Sequence, residues 1–270
     1  MNARTTIVTA DDFGLSDEVD EAIERAHLGG IVTHASLMVG GPSAAGAIGR
    51  AARMPRLGVG LHVALCEIAP TGPAPGLVDG GGLLRDDIAR YGVALGLRPR
   101  LARAVEDQIE AQFDAFAALG LSPTHVDAHK HLHLHPVVGD ALVRVAARRR
   151  VPRLRVPFEP RPALAAIEPT APSAFHAALN LAAKRLARAA RAAGVPTNDV
   201  LFGLRWSGAM SKRRLLGLLG AARPGATEIH VHPATAHGWR FHAPAYRYAE
   251  ELAALTDPDV RAAFAAAGRG

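Results

Sequence analysis

Thr124-His125-Val126-Asp127-Ala128-His129-Lys130-His131-Leu132-His133-Leu134-His135-Pro136 packs five of the chain's thirteen histidines into eleven residues. In an extended chain alternate side chains share a face. His125, Asp127, His129 and His131 would then line one side, with Val126 and Ala128 on the other. Imidazole is the commonest protein metal ligand. Same-face neighbours stand ~6.5–7 Å apart, from a rise of ~3.3 Å per residue. Two imidazoles at that spacing can share an ion, but four groups cannot, so some of the four must back up the ligands or face a substrate. Pro136 suits the first turn of a helix, which makes the tract a strand leading into a helix. His133 and His135 fall in the turn between, as site or surface residues alike.

The same alternation of short apolar strand and helix extends in both directions. Strands are expected over residues 5–10, 33–39, 58–65, 154–156, 200–206 and 228–232, besides the histidine strand. Helices are expected over 16–27 with Ser16 as N-cap and Gly29-Gly30 as stop, and over 44–53, 101–119, 136–149, 174–193 and 211–222. Segment 66–99, rich in Pro and Gly, reads as one long functional loop, and a second Pro-rich loop runs to residue 172. About seven βα repeats without a composition break predict a single α/β domain over 1–270, a barrel of parallel strands wrapped by helices. Such barrels carry their chemistry on the loops after the strands. The unusual polar residues fall there: Asp11-Asp12, His62, His129 and His131, then His230 and His232.

Composition narrows the function classes. A 49% hydrophobic fraction supports a core, but aromatics are only 5%, so aliphatic side chains must do most of the packing. The single Cys66 rules out an internal disulfide and fits a reducing compartment. Met-Asn-Ala-Arg-Thr-Thr leads straight into Ile7-Val8 with no long apolar segment, so neither signal peptide nor membrane span is expected, and the expected location is cytoplasmic. The net charge of +6 comes largely from Arg148-Arg149-Arg150, Arg153, and Lys184, Arg185, Arg188 and Arg191. Without a nucleic-acid motif or an aromatic stacking platform, nucleic acid is not an expected partner. In the helix near 176–192, Leu179, Leu181 and Leu186 accompany the basic residues; docking on an anionic bilayer and service as an ordinary outer helix both remain open.

Each polar feature has a bland reading beside its chemical one. Asp11-Asp12-Phe13-Gly14 places two carboxylates where a strand meets a Gly turn. One could bind a cation while the other takes a proton, or both could complement a helix dipole for a few tenths of a kcal/mol. His62 is a core histidine or a ligand. His230 and His232 share a face; a non-ligating histidine there serves as general acid or is satisfied by backbone. Arg155 forks onto a carboxylate or sits on the surface. Cys66, lacking a basic neighbour, reads as a small buried residue.

Thr9-Ala10-Asp11-Asp12-Phe13-Gly14-Leu15-Ser16, Gly60-Leu61-His62 and Thr124-His125-Val126-Asp127-Ala128-His129-Lys130-His131, in that order, resemble the YdjC/ChbG carbohydrate deacetylase family over nearly the whole chain. The resemblance implies a distorted, TIM-like β/α barrel of the polysaccharide deacetylase type and removal of acetyl groups from N-acetylated sugars with one divalent metal, zinc or magnesium. By that likeness Asp12, His62 and His129 would be the ligands, Asp11 the general base and His232 the general acid. His131, Asp127, Arg155 and His230 would face substrate or support the ligands. Ser36-Leu37-Met38-Val39, Leu77-Val78-Asp79, Val156-Pro157-Phe158-Glu159-Pro160, Phe202-Gly203-Leu204 and His133-Leu134-His135-Pro136 look closer to the hopanoid-associated HpnK subgroup. That subgroup implies an N-acetylglucosaminyl hopanoid as substrate. Separately, the ligand set favours zinc, the basic helix near 176–192 suggests peripheral contact with the inner membrane, and a homo-oligomer is a further expectation. Ala128 and Lys130 depart from the residues usual there, which bears on substrate detail more than on metal binding. The alternatives are deacetylation of soluble chito-oligosaccharides such as diacetylchitobiose, and a metal- or sugar-binding module without activity.

Overall fold

The computed structural model describes residues 4–169, 171–221 and 225–267. Its single sheet has six parallel strands: β1 (Arg4–Phe13), β2 (His34–Leu37), β3 (Gly58–Val63), β4 (Val126–Ala128), β5 (Val200–Phe202) and β6 (Gly225–Val231). Their order is β4-β3-β2-β1-β6-β5. The expected seventh strand at 154–156 contributes one residue. Leu154 bridges Val126 of β4 on one side and Thr197, just ahead of β5, on the other, so the curled sheet closes on itself through single bridges. Pro152 and Pro157 bracket that segment, and a residue without an N–H cannot extend a ladder.

Alternation along these strands sorts residues onto two surfaces. Val8, Ala10, Ala35, Leu37, Leu61, Val63, Val126, Ile229 and Val231 belong to the apolar core. Each Leu, Ile or Val so buried contributes about 1.5–3 kcal/mol relative to exposure. The other surface is polar yet equally buried: Thr9, Ser36, His125, Asp127, Arg155 and Glu228. The interior has room for imidazoles because Gly58 and Gly60 lack side chains. A Cβ at Gly60 would stand 2.3 Å from the His125 ring, and one at Gly58 2.4 Å from His34.

The helices are α1 (Asp17–Leu28), α2 (Ala44–Ala51), α3 (Ile88–Leu97), α4 (Pro99–Ala118), α5 (Pro136–Arg148), α6 (Arg161–Ile167), α7 (Ala174–Ala192), α8 (Lys212–Gly220), α9 (Tyr248–Thr256) and α10 (Pro258–Ala267). Ser16 caps α1 as expected, accepting the Val19 N–H at 3.3 Å. The end of α8 expected at Ala222 lies outside the described residues, as do Met1 to Ala3. Two expected loops contain helices. Within 66–99, α3 is capped by Asp87, which accepts from Arg90 N at 3.1 Å; Gly92 and Gly96 depress its propensity and hide it from a sequence reading. The second is α6. The histidine-, tryptophan- and tyrosine-bearing tail likewise carries α9 and α10.

Part of the expected basic patch is locally neutralised. Arg148 pairs with Glu106 and Glu110, and Arg149 with Glu110 and Asp114. Among the described residues no helix is long and apolar enough to cross a membrane.

Candidate active site

Asp11 and Asp12 both reach one cavity because β1 is irregular there. Ala10 pairs Ala35 and Phe13 pairs Leu37, so β1 carries one extra residue between these pairs. Asp12 takes up the bulge with a left-handed φ of 66°. A regular strand would have sent the two carboxylates to opposite faces.

The histidine tract behaves differently from the expected strand. β4 ends at Ala128, and His129–Leu134 form a 3-10 turn in which Lys130 and His131 both adopt left-handed φ, 52° and 51°. His125, Asp127, His129 and His131 therefore do not share one strand face. His125 and Asp127 enter the barrel; His129 swings to Asp12, Lys130 to Glu67, and His131 packs edge-on against His230 with ring centroids 5.0 Å apart. His133 is buried and donates from Nε2 to the Arg155 carbonyl, and His135 caps α5. Neither is an idle surface residue.

Asp12, His62 and His129 offer ligand atoms all within 4.8 Å of one another. His129 Nδ1 and His62 Nε2 stand 2.8 and 3.3 Å from Asp12 Oδ1. That oxygen is buried yet receives no aligned hydrogen bond. Three lone-pair donors thus converge without satisfying one another, as a cation site requires. Each histidine's outer nitrogen is engaged by a carboxylate: His62 Nδ1 donates to Asp127 Oδ1 at 2.6 Å, and His129 Nε2 to Glu67 Oε2 at 3.2 Å. Such backing fixes ring orientation and tautomer. Asp127 is in turn held by Ser36 Oγ at 2.7 Å and Arg155 Nη1 at 2.8 Å, and Glu67 by Lys130.

Arg155, expected on the surface or on a carboxylate, is fully buried at the barrel's centre. Nη1 and Nη2 donate to the two Asp11 oxygens at 2.7 and 2.8 Å, while Nε donates to Glu228 Oε1 at 2.8 Å. Burial pushes the Asp11 carboxyl up, but Arg155, with His230 and His62, holds it well below the usual carboxylate range. Asp12 follows the same pattern: burial raises its pKa, and His129 and His62 bring it well down. Burial lowers the pKa of His232 below the imidazole norm despite Asp12 and Asp11 nearby.

Asp11, His230 and His232 form a neighbouring group, also within 4.8 Å. Here the nitrogens make no aligned hydrogen bond, although His230 Nδ1 stands 3.6 Å from Asp11 Oδ2. Both ring nitrogens of His230, Nδ1 of His131 and Nδ1 of His232 are buried without a hydrogen-bond partner among the described residues. All nine residues expected at the site are thus near one another, either around the cavity or directly behind it.

The cavity measures about 300 Å³. Its wall includes residues the sequence reading did not single out: Glu67, Ser207, Phe241, Tyr246 and Tyr248. Glu67 follows β3 at the barrel mouth, and the strand-end rule that flagged His62 would have found it too. Phe241 carries a left-handed φ of 68°, an unusual backbone for a bulky side chain. Cys66 is buried, and burial together with Glu67 pushes its thiol up to about 12, which favours the protonated form at neutral pH.

The family model described as YdjC-like protein matches residues 5–266. A carbohydrate deacetylase of Geobacillus stearothermophilus is 34% identical over 269 residues, 98% of this chain and 94% of the relative. One of Brevibacillus brevis is 39% identical over 157 residues, 56% of this chain and 59% of the relative. Among solved structures, a candidate cellobiose-phosphate cleavage protein of Enterococcus faecalis V583 superposes with a TM-score of 0.75, covering 98% of this chain and 95% of that one at 23% identity. At that identity the likeness speaks for the fold.

Proposed function

The chain belongs to the YdjC-like protein family, and we infer that it is a carbohydrate N-deacetylase, acting with one divalent cation on an N-acetylglucosaminyl substrate carried on a hopanoid lipid. One observation carries the reading: two carboxylate-backed imidazoles meet at Asp12 Oδ1 beside a second carboxylate, Asp11, that is held in place independently. Asp12, His62 and His129 would hold the cation. Two nitrogens and one oxygen suit zinc and leave positions open. When bound, the cation would supply Lewis acidity, polarising the amide carbonyl and acidifying the attacking water.

The chain's own groups handle the protons. Asp11 stays ionised because Arg155 grips both oxygens, so it is ready to accept the water's proton at any pH near neutrality. The same grip makes it a weak base that gives the proton up readily. His232, kept neutral by burial, lies within reach to collect that proton and deliver it to the departing sugar nitrogen. The unspent Nδ1 of His131, which lines the cavity with His230 packed edge-on against it, remains to orient the acetamido group.

Support for a lipid-borne substrate comes from α7. Leu181 is 66% exposed and shares a face of the helix with the exposed Arg188 and with Arg185, which pairs with Asp140. This is the face proposed to meet an anionic membrane surface. The test measures amine release from N-acetylglucosaminyl hopanoid and from diacetylchitobiose, with wild-type protein and Asp11→Asn. The lipid should be the better substrate, and the variant should lose on the order of 10²–10⁴ in turnover while keeping its metal. Near-normal turnover by the metal-loaded variant would remove Asp11 as base, and preference for the soluble sugar would overturn the lipid assignment.

A further inference from the structure

Gly203 packs against His230, where an added Cβ would lie 2.4 Å from the His230 carbonyl oxygen. The next two residues, Leu204 and Arg205, face a different space: a cavity of about 200 Å³ with no residue of the catalytic cavity in its wall. Arg161 and Leu164 of α6, the N-cap Ser173, and His176 and Asn180 of α7 complete much of its lining. We propose that this cavity is a binding site for a phosphate ester.

The sign of the site follows from how its charges are spent. Its single carboxylate, Glu159, is 4% exposed and already saturated: Oε1 accepts the amides of Gly203 and Leu204 at 2.9 and 3.0 Å, and Oε2 that of Arg205 at 3.0 Å. Those three amide dipoles offset the Glu159 charge where it lies. Arg161 and Arg205 have no carboxylate partner among the described residues. One Nη of Arg205 donates to the Ala171 carbonyl at 3.0 Å, which fixes the guanidinium and leaves its remaining donors available. Asn180 is committed to the backbone of Glu159, accepting from its N and donating to its O, both at 2.9 Å, so α7 is locked against this wall.

The N-cap Ser173 and the first-turn His176 and Ala177 of the 19-residue α7 line the same cavity; Ser173 Oγ accepts the His176 N–H at 3.3 Å, and the positive end of the helix dipole still points there. Burial and then Arg205 hold the His176 pKa down, so its ring acts as a neutral hydrogen-bonding group while the two guanidiniums set the charge. Two forked cations match a tetrahedral oxyanion better than a flat carboxylate, because each can take a separate pair of oxygens. Leu164, Pro172, Ala177 and Leu204 make the rest of the wall apolar, which favours an ester with an organic body over a bare ion.

The ester could be a soluble sugar phosphate or a phospholipid headgroup, and the test separates them. Calorimetry with inorganic phosphate and with glucose 6-phosphate is run on the purified chain and on Arg161→Gln/Arg205→Gln, beside sedimentation with phosphatidylglycerol and phosphatidylcholine vesicles. A soluble ester site gives saturable binding of glucose 6-phosphate that weakens at least tenfold in the double variant, with deacetylase activity in phosphate-free buffer unchanged. A headgroup site gives phosphatidylglycerol-dependent sedimentation lost in the same variant. Binding equal in wild type and variant, or none in either arm, overturns the proposal.

Discussion

Arg155 and its partners lie behind Asp11 at one wall of the catalytic cavity, and of their carboxylate oxygens only Glu228 Oε2 lacks a hydrogen bond among the described residues. Asp11 and Asp127 have both oxygens engaged, and Glu228 accepts from Arg155 and from Thr9. On the other side His131, His230 and His232 stack edge to face, with centroids 5.0 and 5.2 Å apart, and leave buried nitrogens without partners. A buried polar atom left unsatisfied costs about 1–3 kcal/mol. The contrast separates two duties. The paired side holds its geometry before anything binds, while the unpaired side keeps hydrogen-bonding capacity for an incoming amide.

The sharpest way to break this contrast is Arg155→Met. It would strand three buried carboxylates, and breaking such pairs costs roughly 3–5 kcal/mol or more. Urea or thermal unfolding should show a protein near the limit of folding; an unchanged midpoint would mean that the central ion pairs are not what holds the barrel interior. Asp127→Asn is a milder probe of the same side. It keeps an acceptor near His62 Nδ1 but removes its charge, so metal affinity should fall about 10–100-fold with the fold intact. Metal titration of both proteins decides, and equal affinities would strip Asp127 of its supporting role.

A third probe, of stability against pH, belongs to the unpaired side, through Glu251. Its carboxylate accepts the backbone N–H of His232 at 2.6 Å and of Met210 at 2.7 Å, and burial pushes its pKa up to about 7. A carboxyl whose folded pKa exceeds its unfolded value contributes stability that is fully present below about pH 4.5 and lost as pH rises through about 7. Wild-type stability should therefore carry a downward component between those values, at most about 3 kcal/mol. Glu251→Gln should abolish it, and parallel pH profiles for the two proteins would contradict the assignment.

Much of the fold was legible because its signals are local. The apolar runs, the cap at Ser16 and the first-turn Pro136 of α5 act within a few residues. Where local preference was weak the reading failed: α3 carries two glycines, and the strand expected at 154–156 is hemmed by prolines. The site residues were found by type and by position at strand ends, yet their wiring was not. Arg155 had no signal for burial, and its Asp11 partner is 144 residues away. Glu67 lay in a stretch read only as loop.

From its own residues the chain determined which donors exist and which strand ends carry them, since side-chain period and turn chemistry are properties of neighbouring residues. Tertiary structure decided which donors meet. Two successive left-handed residues, Lys130 and His131, sent a linear run of histidines in different directions, and the bulge at Asp12 turned two carboxylates into one cavity. Both outcomes depend on strand register and barrel closure, which bring residues 11, 62, 127 and 155 together only once the whole sheet has curled.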